Sequence, residues 1–162
     1  MHLLTRGLFL FIVYVVTLLV LPIPAAQAGP EEGLSKGQLV YVPVYSHVYH
    51  GDYERKILLT GILSLRNTDP THVISIVKAD YYDSDGKLIK SYLPQPLTLK
   101  PMASTRFIVK ESDTKGGSGA NFLVEWRAEM EVNEPIMEGV MIGAAGQQGI
   151  SFTSRGKPLR KK

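Results

Sequence analysis

The chemically densest stretch of the chain runs from Tyr41 to Asp52, where Tyr41, Tyr45, His47, Tyr49, His50 and Asp52 fall within twelve positions. Imidazole nitrogens and a carboxylate are metal-ligating groups. With His72 further along, the set His47, His50, His72 and Asp52 could hold a metal ion if the fold brought it together. The spacing matches none of the metal signatures of high specificity. On an extended chain Tyr45, His47 and Tyr49 share one face while His50 and Asp52 take the other. Convergence therefore requires the chain to turn near Tyr49. The same residues read better as an aromatic strip on an edge strand, suited to a peptide, a protein surface or a glycan, since tyrosine half-buries its ring and leaves its hydroxyl to water.

Three other motifs resemble reactive sites and resolve into simpler chemistry. Asp83-Ser84-Asp85-Gly86 suggests a calcium loop, but the helix–loop–helix form needs a glutamate at the twelfth position, which here is Pro94. A hairpin turn is expected instead. Lys115-Gly116-Gly117-Ser118-Gly119-Ala120-Asn121 has the glycines of a phosphate loop, but an extended segment follows it where a helix is required. Ser118 likewise lacks the strand–turn–helix elbow of a nucleophile, and a flexible connection is expected. Gln147 to Gly156 is polar with an Ile150/Phe152 alternation. It predicts a closing edge strand, or a recognition strip in which Arg155 meets an anion. No pair of carboxylates stands out for acid–base work, and a hydrolase could be built only from dispersed residues.

The elements that would position these groups are short and extended. Gln38–Tyr45 is interrupted by Pro43, which marks an edge or a switch point because proline lacks the ladder N–H. In Lys56–Arg66, Ile57, Leu59, Leu63 and Leu65 share a face with Gly61, where a close approach of another segment is expected. In Val73–Tyr82 the alternation slips between Ile76 and Ala79, which predicts a β-bulge. Asp85-Gly86 then turns the chain into Lys87–Tyr92. Further strands are expected at Leu97–Lys100, Thr105–Glu111, Asn121–Ala128, Ile136–Ile142 and Gly149–Thr153. Phe107, Val109, Phe122, Val124, Trp126 and Val140 are expected inside, Val140 in phase with Ile136 and Ile142. Seven to nine evenly spaced strands without a helix predict an all-β fold: a two-sheet antiparallel sandwich, immunoglobulin-like, with a small closed barrel as the alternative.

The N-terminus has a different character. Arg6 precedes an uncharged run Leu8–Leu21, prolines follow at 22 and 24, and Ala26-Gln27-Ala28 offers a small-x-small cleavage pattern. This is the layout of a secretory signal, too short to span a bilayer comfortably. The expected organisation is a signal peptide over 1–28, a linker over 29–37, a sandwich domain over 38–156 and a basic tail over 157–162. Membrane contact is then transient through the signal segment, or permanent if that segment stays as an uncleaved anchor. The 162 residues include no cysteine, which removes disulfides, thiolate nucleophiles and a lipidated cysteine. The formal charge of +3 is a tail property, since Arg155, Lys157, Arg160, Lys161 and Lys162 crowd the C-terminus. No basic face with interleaved aromatics exists, so nucleic acid is not an expected partner.

Several strings in the domain carry a resemblance: Tyr41-Val42-Pro43-Val44-Tyr45-Ser46-His47, Leu65-Arg66-Asn67-Thr68-Asp69-Pro70, Tyr81-Tyr82-Asp83-Ser84-Asp85-Gly86-Lys87, Leu99-Lys100-Pro101-Met102-Ala103-Ser104-Thr105, Gly116-Gly117-Ser118-Gly119-Ala120-Asn121-Phe122 and Gln147-Gln148-Gly149-Ile150-Ser151-Phe152. Together they resemble a bacterial family catalogued as domain of unknown function 3124, from about Gln38 to Gly156. The resemblance implies bacterial origin, export and a single domain, and transfers no functional residue. The expected function is a non-enzymatic extracytoplasmic, periplasmic or secreted, binding module for an envelope protein, peptide or glycan. It requires no cofactor, and a metal ion on the histidine set is the alternative.

Overall fold

The structure, a computed structural model, describes residues 33–159. Residues 1–32, with the expected signal peptide, and residues 160–162 of the expected tail lie outside the described residues. Alternation of apolar and polar side chains along nearly every segment, punctuated by Gly, Pro and Asp turns, produces twelve strands and, among the described residues, no helix. They are β1 Leu34–Pro43, β2 His47–His50, β3 Arg55–Leu58, β4 Thr60–Arg66, β5 Ile74–Tyr82 and β6 Leu88–Ser91, then β7 Leu97–Leu99, β8 Ser104–Val109, β9 Asn121–Asn133, β10 Ile136–Ala145, β11 Gln148–Arg155 and β12 Lys157–Leu159.

One sheet has the order β12-β1-β9-β5-β6, with β7 also on β5; the second has the order β11-β10-β4-β8; β2 and β3 form a separate hairpin. All pairings are antiparallel, and neither sheet closes into a barrel. The fold is a two-sheet sandwich. The pairs β4–β8 and β5–β9 are those that strands B–E and C–F make in an immunoglobulin domain. The first and last long strands exchange places relative to that fold: β1 adds beside β9, and β10 beside β4.

The core lies between the two layers. Val40 and Val42 of β1, Leu63 and Leu65 of β4, Ile74, Ile76 and Tyr81 of β5, and Phe122, Val124 and Trp126 of β9 are buried there. Tyr81 stacks on Phe122 at 4.8 Å, and Tyr92 and Phe107 continue the aromatic row. The expected bulge in β5 is present: the register against β9 slips between Ile76 and Lys78, which restores Ala79 and Tyr81 to the inner face. The close approach expected at Gly61 is also present. A Cβ there would stand 2.6 Å from Val44 Cγ1, and one at Gly139 would meet the carbonyl of Pro43. Val44, just past Pro43, leaves the larger sheet and inserts between these two glycines of the smaller one. Pro43 is thus a switch point.

Four expectations are corrected. Leu34–Gly37, assigned to the linker, begin β1 because Leu34 and Ser35 pair with Asn133 and Val132. Lys157–Leu159, assigned to the tail, pair with β1 as β12. The single strand Lys56–Arg66 is broken at Leu59, whose N–H goes to Ser46 O. In β10 the buried side chains are Met137 and Met141, whereas Ile136 and Ile142 face solvent and Val140 is half-buried. Both phases of β10 are apolar, and the inner one is decided by Gly139, which must face Val44.

Candidate functional site

The hairpin β2–β3 stands outside both sheets. Its sequence folds that way because Gly51-Asp52-Tyr53-Glu54 supplies the turn: Gly51 has φ +70°, Glu54 has φ +48°, and Glu54 N–H donates to Gly51 O at 3.1 Å. The register pairs His47 with Leu58 and Tyr49 with Lys56 on one face, and Val48 with Ile57 and His50 with Arg55 on the other. An isolated two-stranded hairpin is marginal in water, so its base needs anchoring. Ser46 provides it. Its N–H donates to Gly117 O, its Oγ accepts from Gly117 N–H at 2.9 Å, and its carbonyl accepts from Leu59 N–H. Ser84, in the turn after β5, holds the same glycine-rich loop through Gly116 O and Gly119 N–H. This loop, expected to be a flexible connection, is a pinned strap between the hairpin base and the β5–β6 turn.

Along the hairpin, exposure rises toward the tip. His47 is buried at 6% exposure, its ring 5.2 Å from Tyr49 in an edge-on contact. Burial pushes its pKa below the usual histidine value, and the nearby Lys56 ammonium pushes the same way. Tyr49 is 49% exposed, with Lys56 Nζ 5.9 Å from its ring centroid. Tyr53 at the tip is 87% exposed, and His50, Asp52, Glu54 and Arg55, all within three positions of it in the chain, are exposed as well. The result is an aromatic tip with charges of both signs. Such a set recognises a surface by ring packing and polar contacts.

The sequence-derived candidates are scattered over five places. His47, Tyr49, His50 and Asp52 share the hairpin. Tyr41 lies on the outer face of the larger sheet, paired with Leu123 and Lys157. Tyr45 packs on Phe152 of β11 with ring centroids 6.1 Å apart. Arg155 is on β11 opposite Glu138. The continuous tyrosine strip is therefore not formed, because the chain switches sheets at Pro43 between Tyr41 and Tyr45.

His72 belongs to a corner built by Asn67-Thr68-Asp69-Pro70-Thr71-His72. There Asp69 Oδ1 accepts from Thr71 N–H, Thr71 Oγ1, His72 N–H and His72 Nδ1, and Oδ2 accepts from Asn133 N–H. The backbone N–H of Thr71 and the further N–H groups of Asn133 and His72 hold the Asp69 carboxyl well below the usual range, against the opposing effect of its burial. Asn67 Nδ2 donates to the carbonyls of His72, Leu99 and Lys100. His72 is thus committed to a structural corner. Among the described residues, no three His, Asp or Glu side chains are grouped to hold a metal ion. The proposed set of His47, His50, His72 and Asp52 is corrected accordingly. Above the same corner lies a groove of about 300 Å³ lined by Gly33, Thr68, Asn133, Glu134 and Ile136. Its one carboxylate, Glu134, is engaged by Gln38 Nε2.

Tyr53, Arg55 and Lys56 were missed by sequence reasoning. The signal for them was the turn dipeptide Gly51-Asp52 between two short runs.

The family described as protein of unknown function (DUF3124) matches residues 37–159. The chain belongs to DUF3124. No curated protein matches it. Among solved structures, the crystal structure of Thermotoga maritima 1070 is similar at 12% identity and a TM-score of 0.45, covering 74% of this chain and 92% of that one. The family match takes in the whole hairpin of this DUF3124 chain, its strap and the Asp69 corner.

Proposed function

We propose that this chain is an exported, non-enzymatic interaction module that engages a protein partner in the cell envelope through the β2–β3 hairpin. The observation that carries it is the exposure of Tyr49 and Tyr53 on a hairpin that lies outside both sheets yet is anchored at its base. Tyr53 is 87% exposed, so its ring is open to packing against a partner. Tyrosine and arginine are the residue types that dominate binding energy at interfaces. Export is supported by the charged, apolar and small-residue succession over 1–28.

Replacing Tyr49 and Tyr53 together by alanine tests the site. Chemical cross-linking in intact cells should capture a discrete envelope protein with the parent and lose it with the double variant, the two having equal thermal stability. Capture that survives the double substitution would remove the hairpin from the proposal. Export is tested separately by N-terminal sequencing of the protein from the periplasmic fraction or medium, which should begin at Gly29. Recovery of the intact N-terminus in the cytoplasm would overturn it.

A further inference from the structure

A sheet edge is a row of unpaired N–H and C=O groups, and proteins blunt such edges with charge, proline, bulges or cover. Most edges here are blunted. The β6–β7 edge is broken by Pro94 and Pro96. β12 is three residues long and contains Pro158. The part of β1 that β12 leaves uncovered carries Lys36 in a bulge between Ser35 and Gly37. On β8, Arg106 and the following Lys110 supply charge, and Tyr92 Oη donates to Ile108 O at 3.3 Å.

Among the described residues, β11 has none of these devices from Gln148 to Ser154. It is eight residues long, terminal in its sheet, uncharged from Gln148 to Ser154 and free of proline. It is set straight against β10 by a two-residue loop, Gly146-Gln147, with Gly146 at φ +63°. Gly156 N–H donates to Met137 O, and hydrogen-bonded pairs alternate along an antiparallel ladder. Ser154, Phe152 and Ile150 therefore spend their backbone groups on β10, while those of Thr153, Ser151 and Gly149 point to the open side.

The geometry points to β11 as a strand-addition edge whose occupant is the β11 of a second copy, paired antiparallel about a two-fold axis at Phe152. The occupant must be an uncharged strand that sets apolar side chains beside the half-buried Ile150 and Phe152 and small hydroxyls beside Ser151 and Thr153. β11 is itself such a strand. In this register Phe152 meets its own copy, Ser151 exchanges backbone hydrogen bonds with Thr153 of the second chain, and Arg155 falls opposite a glycine, so no like charges meet. Parallel pairing would stack Arg155 on itself. The product is an eight-stranded sheet of order β8-β4-β10-β11-β11-β10-β4-β8. This surface is separate from the hairpin tip and independent of its role.

The contact is one strand wide and falls below the area of a standard stable interface, so the dimer should dissociate on dilution. Sedimentation equilibrium of the protein as the cell processes it, at concentrations up to about 1 mM, should show a monomer–dimer equilibrium. Ser151→Pro removes one outward N–H and leaves the β10 ladder intact. It should weaken dimerisation at least tenfold without changing the circular dichroism spectrum. Thr153→Lys, which brings ammonium groups to the two-fold, should do the same and decides the matter if the proline variant fails to fold. A parent that stays monomeric over the whole range, or a dimer that survives in both variants, would overturn the inference. So would an added strand that proves to come from a different protein.

Discussion

Asp69 shows how a single side chain can organise one end of the domain. Its carboxylate collects three backbone N–H groups, a threonine hydroxyl and an imidazole, tying the β4–β5 corner to the end of β9. Because its pKa is lowered in the folded state, its contribution is complete above the unfolded carboxylate value of about 3.9 and is lost as the pH falls below that toward the folded value. The urea midpoint of the parent should therefore drop between pH 5 and pH 2 more steeply than that of Asp69→Asn, which should start lower at pH 7. Equal slopes for the two proteins would show that the corner holds without the charge. This corner was half legible in the sequence. Asn67-Thr68-Asp69-Pro70 announced a turn, but the Asn133 N–H that completes it is sixty-four positions away, and nothing local encodes it. His72 was visible as a chemical group and misjudged in role, because its partner three residues earlier read as turn punctuation.

At the scale of elements, legibility followed the contrast between a strand's two faces. β9, with Phe122, Val124 and Trp126 against Leu123, Glu125 and Arg127, could be read correctly, as could β4 and the slip in β5. β10 could not, since methionine on one face and isoleucine or valine on the other leave a period-two pattern without a sign. The β2–β3 hairpin was equally hidden, because strands of four mostly exposed residues have no buried face to betray them. Where Gly61 meets Val44 the sequence did carry the information, and the packing makes it measurable. Gly61→Ala should cost about 1–3 kcal/mol by overpacking. Combining it with Val44→Ala should recover part of the loss, since the obstructing atom is Val44 Cγ1. Gly139→Ala should be recovered less by the same change, which removes the contact with Val44 Cγ2 but leaves the closer Pro43 backbone carbonyl in place. Strictly additive denaturation energies for Gly61→Ala and Val44→Ala would refute this packing.

For the whole molecule, two layers enclose the core, and the outward β10 phase gives the smaller sheet an unusual exterior. Val140 pairs with Ile62 on one side and Thr153 on the other, and Ile62 pairs with Ile108, so a row of β-branched side chains crosses all four strands on the solvent side. The distinction between the two β10 faces has an energetic signature. Met141→Ala should destabilise by about 2–5 kcal/mol, whereas Val140→Ala should cost below about 1 kcal/mol. Chemical denaturation of the pair checks it, and a larger loss for Val140→Ala would reverse the face assignment. The order of strands within the sheets was the least legible feature, for a physical reason. Pairing is chosen by complementarity between distant segments, and the exchange of β1 and β10 relative to an immunoglobulin domain leaves each strand's own pattern unchanged.

Val44 works as a bolt. Its neighbour Pro43 is still in the ladder with Asn121 of one layer, while its own side chain is seated between two side-chain-free positions of the other. Prising the layers apart means drawing that bolt, and every contact around it then fails together. Half-open forms with one layer intact are thereby penalised, so a protein carrying the long uncapped edge of β11 spends little time in the peeled states from which uncontrolled strand exchange begins.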